Sequence, residues 1–195
     1  MYKNFFKPLI DFCGALLMLP FVLLVVIIFA PIIYFTDRGP VFYNAERMGK
    51  DGRIYKMFKL RSMYMNAPDI RNADGSTFNA DKDPRVTPIG HFIRKTSLDE
   101  FPQFLNVLIG DMSFVGPRPS LTTTPYSEYN EIRRKRVSVK PGVSGYAQAY
   151  FRNSISQDEK FRWDAYYADH ISLWMDIKVL LMTVRSVLWR ENINN

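Results

Sequence analysis

The sequence has very few of the residues that form covalent cross-links and soft-metal sites. It contains one cysteine, Cys13, and two histidines, His91 and His170. A single cysteine excludes a disulfide within the chain and a cysteine-based zinc site, and it is compatible with a reducing cytosolic setting. The two histidines lie far apart, which argues against a histidine-rich metal site. Any metal chemistry is therefore expected to use carboxylates and hard cations.

Acidic residues are also fewer than basic ones. The chain has 19 aspartates and glutamates against 26 lysines and arginines, a formal net charge of +7 over 195 residues. Such a balance suits a nucleic acid, an anionic membrane surface or a phosphorylated substrate, and charge alone does not choose among them. The length and the 47% content of hydrophobic residues predict one domain with an accessory element.

The accessory element is the charge-free run from Phe12 to Phe35. It exceeds the roughly 20 residues that a helix needs to span hydrocarbon. It is too long for the apolar part of a signal peptide, and no small-x-small cleavage site follows it. Pro20 and Pro31 favour kinks, and basic residues flank both ends, so the orientation is not set. A single kinked span and a hairpin that returns to the same face both remain open.

The segment that follows the membrane run predicts a strand, a turn and a second strand. The letters KDG are a turn signal within "VFYNAERMGKDGRIYKMFKLRSM". Lys59 and Arg61 fall on one face of the second extended stretch. They are either phosphate contacts or part of a solvated basic edge.

Two further segments are predicted to be helical, and a long polar surface loop over residues 66–84 precedes them. Thr87 is a suitable N-cap for the first helix because a proline follows it. The second begins near Ser172, where apolar residues recur at helical spacing. That helix either packs on the core or lies at a membrane interface, to which Trp174 and Trp189 are suited.

The stretch "TSLDEFPQFLNVLIGDMSFVGPRP" places two acids, Asp99 and Glu100, directly before an apolar segment. Ser97 and Glu100 match a capping box, but Pro102 favours Asp99 as the N-cap, and a cap carboxylate is expected to be ionised. Adjacent residues near a helix start project about 100° apart. One acid is thus placed to attack or to accept a proton and the other to hold a divalent cation.

Arginines accompany the acidic pair. Arg118 lies between two prolines, which makes it a stiffly held fork for a phosphate or a nucleotide. Arg94 and Lys95 end the predicted helix just before the pair, where cations also stabilise a helix C-terminus. Acids, arginines and a membrane segment together suggest chemistry on a charged phosphate at a bilayer.

Four stretches, "VFYNAERMGKDGRIYKMFKLRSM", "TSLDEFPQFLNVLIGDMSFVGPRP", "VKPGVSGYAQ" and "WDAYYADHISLWMDIKVLLMTV", resemble the bacterial monotopic phosphoglycosyltransferases. The resemblance runs in order over nearly the whole chain, and the length matches the small members without a fused domain. It implies a mixed α/β fold that is mainly helical. Residues 1–36 would form a re-entrant membrane helix-break-helix, with the break at Pro20. Residues 37–195 would form a compact cytoplasmic catalytic domain with a short β-hairpin and amphipathic interfacial helices.

The resemblance also implies an activity. Members transfer a phosphosugar from a UDP-sugar to polyprenol phosphate, such as undecaprenyl phosphate, and release UMP through a covalent phosphosugar-aspartate. This is the first membrane step in assembling glycoconjugates such as O-antigen, capsule or glycoprotein. The implied location is the cytoplasmic face of the bacterial inner membrane. The implied partners are the two substrates and phospholipid, without nucleic acid; a homodimer is compatible, and the sugar is left open.

The same resemblance assigns roles to individual residues. Asp99 would be the nucleophile, Glu100 the ligand of Mg²⁺, and Arg94 a catalytic partner. The substrate-binding or site-supporting set would be Lys59, Arg61, Arg118, Arg152 and Asp176. Two other functions stay open on the residues alone. One is a membrane-anchored glycosyltransferase that releases UDP, and the other is a basic membrane-tethered scaffold in which Asp99 is only a helix cap.

Overall fold

A computed structural model describes residues 1–70, 78, 83–152 and 154–189 of the chain. This part is mainly helical, as predicted, and has two small two-stranded sheets. The helices are α1 (Lys7–Asp37), α2 (Pro88–Lys95), α3 (Gln103–Leu108), α4 (Glu131–Arg136), α5 (Tyr146–Tyr150), α6 (Gln157–Asp169) and α7 (Leu173–Trp189). The strands are β1 (Ala45–Met48), β2 (Ile54–Met57), β3 (Ser113–Val115) and β4 (Gly142–Ser144). Most of the predicted 66–84 loop and the side chain of Trp189 lie outside the described part.

The predicted β-hairpin is confirmed. Strands β1 and β2 pair antiparallel, with Ala45 opposite Met57, and a short turn over Lys50–Gly52 joins them. Asp51 adopts a left-handed backbone with φ of 53° in this turn, a conformation that aspartate tolerates better than most residues. The second strand ends at Met57, so Lys59 lies just beyond the sheet, where the chain turns toward the acidic pair.

The second sheet brings two distant motifs together. Strands β3 and β4 are parallel, with Val115 opposite Ser144, and the Gly116 amide donates to the Ser144 carbonyl over 2.9 Å. A Cβ atom at Gly145 would lie 2.5 Å from the carbonyl oxygen of Gly116. The backbones can approach this closely only because residue 145 is a glycine. This contact fixes the starting point of the loop that carries the Pro-Arg-Pro sequence.

Helix α1 is one continuous helix, so the helix-break-helix predicted over residues 1–36, with its break at Pro20, is not confirmed. Its backbone stays helical through both Pro20 and Pro31. Ala15 and Val22, on either side of Pro20, are both buried against the rest of the chain. This packing keeps the turns helical although each proline costs one hydrogen bond. The buried face runs the whole length of the helix and comprises Lys7, Asp11, Ala15, Val22, Val25, Phe29 and Ile33.

The opposite face of α1 is exposed and apolar. The described residues contain one helical stretch long and apolar enough to cross a membrane, Tyr2–Asp37, and only 22% of its most apolar window is buried. The core helix of a soluble protein would be mostly buried. The large exposed side chains of this face include Leu16, Leu17, Phe21, Leu23, Leu24, Ile27, Ile28 and Phe35.

Polar contacts fasten both ends of α1 to the rest of the chain. Near the start, the Lys7 ammonium lies 2.7 Å from Oδ2 of Asp176, and Asp11 accepts a hydrogen bond of 3.0 Å from a β3 amide. At the end, Arg61 donates to both carboxylate oxygens of Asp37 over 3.0 and 2.5 Å. The helix is thus docked along its length and does not project away from the domain.

Helix α7 confirms the predicted amphipathic element, but its predicted apolar stripe faces outward. Asp176 and Val179 are buried, with 5% and 0% exposure. The exposed set is Leu173, Trp174, Ile177, Leu180, Leu181 and Val184. Packing of this stripe on the core, one of the two open alternatives, is therefore wrong for these residues. The structure favours the interfacial alternative, because an exposed apolar surface of this kind marks an interaction site.

The core beneath the acidic pair is built partly from α1. Leu60 and Ile93 are fully buried and pack with Phe29 and Ile33 of α1. The Leu60 amide also donates to the backbone carbonyl of Asp99 over 2.9 Å. Helix α1 and the turn that carries the acidic pair are consequently joined through one packed cluster.

Candidate active site

The acidic pair lies in a short 3-10 turn, Leu98–Glu100, between α2 and α3. Ser97, which precedes the turn, has a left-handed backbone with φ of 57° and makes no side-chain cap hydrogen bond. The N-cap position of α3 is taken by Pro102, also without a side-chain cap bond. Both cap predictions, Ser97 and Asp99, are therefore wrong. A capping box needs an extended N-cap residue, and Ser97 does not provide one.

Lys59 joins the two acids. Its ammonium lies 2.9 Å from Oδ2 of Asp99 and 3.2 Å from Oε1 of Glu100. Burial alone would lower the pKa of Lys59, but the nearby carboxylates of Glu100 and Asp99 outweigh it and hold the pKa above its usual value. Lys59 therefore stays charged, and the predicted link between Lys59 and the acidic pair is present in the fold.

Asp99 is almost completely enclosed, with 2% exposure. Its Oδ2 atom lies close to the Lys59 ammonium but has no aligned hydrogen-bond donor among the described residues. Burial raises the pKa of Asp99, and the charge of Lys59 opposes that rise. This direction is opposite to the one expected of a helix cap, because no helix N-terminus stabilises the ionised form here. Asp99 is a buried carboxylate whose close side-chain partner in the described part of the chain is the Lys59 ammonium.

Glu100 differs from its neighbour in both exposure and ionisation. Its side chain is 27% exposed, against 3% for Asp99. Burial would raise the pKa of Glu100, but Lys59, Arg118 and Arg94 together hold it below the usual value. Two adjacent acids with opposite pKa shifts are fitted for different tasks. Glu100 is the one that stays ionised and reaches solvent.

Arg94 lies in the last turn of α2, and its placement follows from the start of that helix. Thr87 caps α2 as predicted, since its hydroxyl accepts a 2.9 Å hydrogen bond from the Gly90 amide. The Nε atom of Arg94 donates to Oγ of Ser62 over 2.7 Å. Burial lowers the pKa of Arg94, while Asp99 raises it. The arginine is therefore held beside the pair by a hydroxyl contact.

Arg118 completes the group. Its side chain is exposed, and its charge acts on both Lys59 and Glu100. The guanidinium makes no hydrogen bond or ion pair with any residue in the described part of the chain. The structure thus gathers five of the eight predicted site residues around one carboxylate pair: Lys59, Arg94, Asp99, Glu100 and Arg118.

The other three predicted residues lie elsewhere. Arg61 is buried against the end of α1, where it contacts Asp37 and the Ile33 carbonyl. Arg152 has a left-handed backbone, with φ of 46°, and donates to Oγ of Ser186 on α7 over 2.8 Å. These placements give Arg61 and Arg152 structural contacts in α1 and α7 rather than contacts with the acidic pair.

Asp176 likewise serves the fold rather than the acidic pair. It accepts hydrogen bonds from the hydroxyls of Tyr2 and Tyr167, over 2.7 and 2.6 Å, and from the Lys7 ammonium. Asp176 thus binds the start of α1 to α6 and α7.

Sequence reasoning missed three residues that shape the site: Ser62, Arg136 and Asp164. Ser62 positions Arg94, and the buried pair of Arg136 and Asp164 supports the loop of Arg118. Arg136 is the last residue of the charged run "EIRRKR", which is typical of a solvated helix face. An available signal is that Asp164 is the one acid in "KFRWDAYYA", a stretch otherwise aromatic, small or basic.

The carboxylate oxygens of the site suit a hard cation that the substrate also helps to hold. The described residues contain no group of three or more histidines, cysteines or acids that could hold a metal on their own. Mg²⁺ is commonly held by one or two carboxylates together with substrate phosphates and water. The partly exposed carboxylate of Glu100 meets that requirement, while Asp99 is enclosed.

Comparison with known proteins places this geometry in a family. Residues 2–190 match the family described as bacterial sugar transferase. The chain is 42% identical over 190 residues to the galactosyl transferase CpsE of Streptococcus agalactiae, covering 93% of this chain and 42% of that protein. It is 38% identical over 166 residues to the undecaprenyl-phosphate galactose phosphotransferase of Salmonella typhimurium, covering 80% and 35%.

A shorter relative is covered almost completely. The uncharacterized sugar transferase EpsL of Bacillus subtilis is 38% identical over 187 residues, which are 96% of this chain and 89% of that protein. The chain spans less than half the length of the Streptococcus and Salmonella relatives. The matched region includes the hairpin, the acidic pair and the Pro-Arg-Pro loop. The chain belongs to the bacterial sugar transferase family.

Proposed function

We propose that this chain transfers a sugar phosphate from a UDP-sugar to polyprenol phosphate and releases UMP. The observation that carries the proposal is the buried Asp99 carboxylate, which lies 2.9 Å from the Lys59 ammonium, next to Glu100 and within the field of Arg94. Relatives named as undecaprenyl-phosphate phosphotransferases for galactose, N-acetylgalactosamine and glucose support the reaction class. Because those names differ in the sugar, the proposal leaves the sugar open.

In the first step, a carboxylate oxygen of Asp99 attacks the β-phosphorus of the donor. The bond from this phosphorus to the bridging oxygen breaks, and UMP leaves with the electron pair. In the second step, a phosphate oxygen of polyprenol phosphate attacks the same phosphorus. The bond to Asp99 breaks, and the carboxylate is regenerated. One enclosed nucleophile thus serves a soluble donor and a lipid acceptor in turn.

The cations around Asp99 give the proposed reaction its charge balance. Lys59 favours the ionised, nucleophilic form of Asp99. Arg118 and Arg94 would bind the diphosphate and stabilise the negative charge that develops on UMP. Mg²⁺ held by Glu100 would offset charge on the same diphosphate. The exposed Arg118 meets the arriving donor, whereas Arg94 is fixed by Ser62.

We also propose that the chain is monotopic, with both flanks of α1 on the cytoplasmic side of the bacterial inner membrane. A straight helix of 31 residues is about 46 Å long, more than the roughly 30 Å of a bilayer's hydrocarbon. If α1 crossed alone, its ends would lie on opposite sides. Contacts of Lys7 and of Asp37 with one domain argue against this. The exposed apolar faces of α1 and α7 would then rest in one leaflet.

The reaction is tested by incubating the purified chain, in detergent or nanodiscs, with undecaprenyl phosphate, Mg²⁺ and a panel of UDP-sugars. UMP should be the nucleotide released, and omission of the lipid should leave a phosphosugar label on the protein. UDP without UMP would support the glycosyltransferase alternative. Absence of both nucleotide products and label over the panel would support the scaffold alternative.

Topology is tested by cysteine labelling in inverted and right-side-out membranes. The exposed Cys13 is first replaced by serine, so that reporter cysteines at the two chain ends are the only thiols. Both reporters should react only from the cytoplasmic side. Labelling of the two ends from opposite sides would restore a single span.

A further inference from the structure

The Pro-Arg-Pro loop is held at several points, and Arg118 is held differently from its neighbours. The Pro117 carbonyl accepts a hydrogen bond from the Gly142 amide over 2.9 Å. The Ser120 carbonyl accepts from the Met48 amide over 3.0 Å. These are backbone bonds to β4 and β1. Between them, Arg118 is tethered by side chains from α4 and α6.

The side chains that tether Arg118 form one buried pair. Nε of Arg136 donates to Oδ2 of Asp164 over 2.9 Å, and the two residues are only 4% and 3% exposed. One terminal nitrogen of Arg136 donates to the Arg118 carbonyl, and the other donates to Oγ of Ser120. The Asp164 carboxylate is in turn stabilised by the backbone amides of Ala147 and Arg118. Arg118 is therefore held at its carbonyl by Arg136, and its amide lies beside the Asp164 carboxylate.

The loop borders a small cleft of about 10 Å³, and its lining includes Pro117, Arg118, Ser120 and Arg136. That is room for about one water molecule, so Arg136 reaches the loop directly through its hydrogen bonds. A buried ion pair is moreover a weak source of stability, since desolvation cancels much of its attraction. Its geometry points to another role.

We propose that Arg136 and Asp164 are positioning residues that act through Arg118, fixing its backbone so that the guanidinium faces Glu100 and Lys59. The positioning rests on the proposed function only insofar as Arg118 binds the donor. The planar guanidinium of Arg136 has donors in a rigid fork, so it contacts Asp164, Arg118 and Ser120 at once. A lysine ammonium at the same position could keep the ion pair but not all three contacts.

The primary variant is therefore Arg136→Lys, which keeps the buried charge paired and removes the fork. The matched control is Lys135→Ala. Lys135 pairs with Asp169 and so links the same two helices, α4 and α6, but on the exposed surface and without touching Arg118. A milder variant, Ser120→Ala, removes one contact of Arg136 and keeps the proposal testable if Arg136→Lys does not fold.

The first readout is amide hydrogen exchange of the full chain, which needs neither ligand nor turnover. We expect the Arg118 amide to exchange about tenfold faster or more in Arg136→Lys, because the bond network that shields it is loosened. Lys135→Ala should leave this amide unchanged. Unchanged exchange at Arg118 in Arg136→Lys, or in Ser120→Ala if the first variant does not fold, would overturn the proposal.

The second readout is UDP affinity with Mg²⁺, measured by calorimetry in two backgrounds. Arg136→Lys should weaken UDP binding about tenfold in the parent chain, since small misplacement of a binding group is costly. It should have under about twofold effect once Arg118→Ala is present, because coupled residues are not additive. Equal losses in both backgrounds would show a general structural effect and overturn the proposal.

The two readouts separate this inference from the proposed function. A chain that binds UDP but releases no UMP contradicts the proposed reaction and leaves the calorimetric test intact. A chain that binds no UDP leaves hydrogen exchange at Arg118 to decide alone. The KM for the UDP-sugar should rise about tenfold in Arg136→Lys with a smaller change in kcat, if turnover is present.

Discussion

Asp99 and Asp176 are both buried beside a lysine, but their carboxylates differ in the number of hydrogen-bond donors around them. Their exposures are 2% and 5%, and each has a lysine ammonium within 2.9 Å of its Oδ2 atom. Asp176 is also a hydrogen-bond acceptor for two tyrosine hydroxyls. Asp99 has Lys59 alone, and Oδ2 lacks an aligned donor in the described part of the chain.

The difference teaches how to separate a reactive carboxylate from a structural one. A fully hydrogen-bonded carboxylate is stabilised in its charged form and is a poor nucleophile, since attack would break its bonds. A buried carboxylate with few hydrogen-bond partners calls for an explanation, and the nucleophilic role that we propose for Asp99 supplies one. Both aspartates were predicted from the sequence to be site residues. The number of hydrogen-bond donors around each carboxylate distinguishes them.

The largest effect is expected for Asp99→Asn. Loss of the nucleophile should lower UMP release by on the order of 10⁴-fold or more. The free energy of unfolding should change by less than about 1 kcal/mol, because asparagine has the same shape and Lys59 keeps Glu100. The measurements are UMP release and chemical denaturation. An active Asp99→Asn enzyme would contradict the nucleophilic role that we propose for Asp99.

A smaller effect, of the opposite kind, is expected for Asp176→Asn. The change leaves Lys7 with its charge buried and unpaired, so unfolding should become easier by about 3 kcal/mol. Activity per folded molecule should stay close to that of the parent chain. Denaturation curves and active-fraction titration measure the two quantities. A selective loss of kcat at unchanged stability would return Asp176 to the catalytic group.

The third prediction concerns pH and Lys59→Met. Burial raises the pKa of Asp99 and Lys59 opposes the rise, so removing the ammonium should raise that pKa further. Only ionised Asp99 can attack, so activity falls as pH drops through its pKa. The acid limb of the kcat/KM profile should therefore move to higher pH. An unmoved limb would show that Lys59 does not govern ionisation of Asp99.

The smallest effect is expected for Tyr167→Phe. The change removes the hydroxyl that bonds Asp176 and the Val115 carbonyl, while Lys7 and Tyr2 still contact the carboxylate. Stability should fall by about 1 kcal/mol without loss of activity. Thermal unfolding in the same detergent measures it. A loss as large as that of Asp176→Asn would mean that Tyr167, rather than Lys7, holds the cluster together.

Local signals predicted the parts of the fold that depend on neighbouring residues. The KDG turn specified the β1–β2 hairpin, and Thr87 followed by a proline specified the start of α2. These features are determined within a few residues, so they can be read from a short window. The continuity of α1 through Pro20 was not predictable in this way, because it depends on packing along the whole helix.

Contacts between residues that are far apart in the sequence explain where the predictions for the site failed. Arg61 pairs with Asp37, and Arg136 with Asp164 from another helix, so each partner is distant along the chain. Nothing near Arg136 distinguishes a buried arginine from its solvated neighbours in the run. The outward orientation of the apolar stripe of α7 could not be predicted either, because periodicity identifies an apolar stripe but not what covers it. The acidic pair was found because its two residues are adjacent.

The contact between Lys7 and Asp176 also bears on the order in which the chain forms its contacts during synthesis. The two residues are 169 positions apart, so α1 leaves the ribosome long before its partner in α7 exists. During that interval the Lys7 ammonium lacks this partner. Contacts of such high sequence separation form late. The contact between Lys7 and Asp176 therefore forms only after α7 has been made, and a chain that ends before Asp176 would lack it.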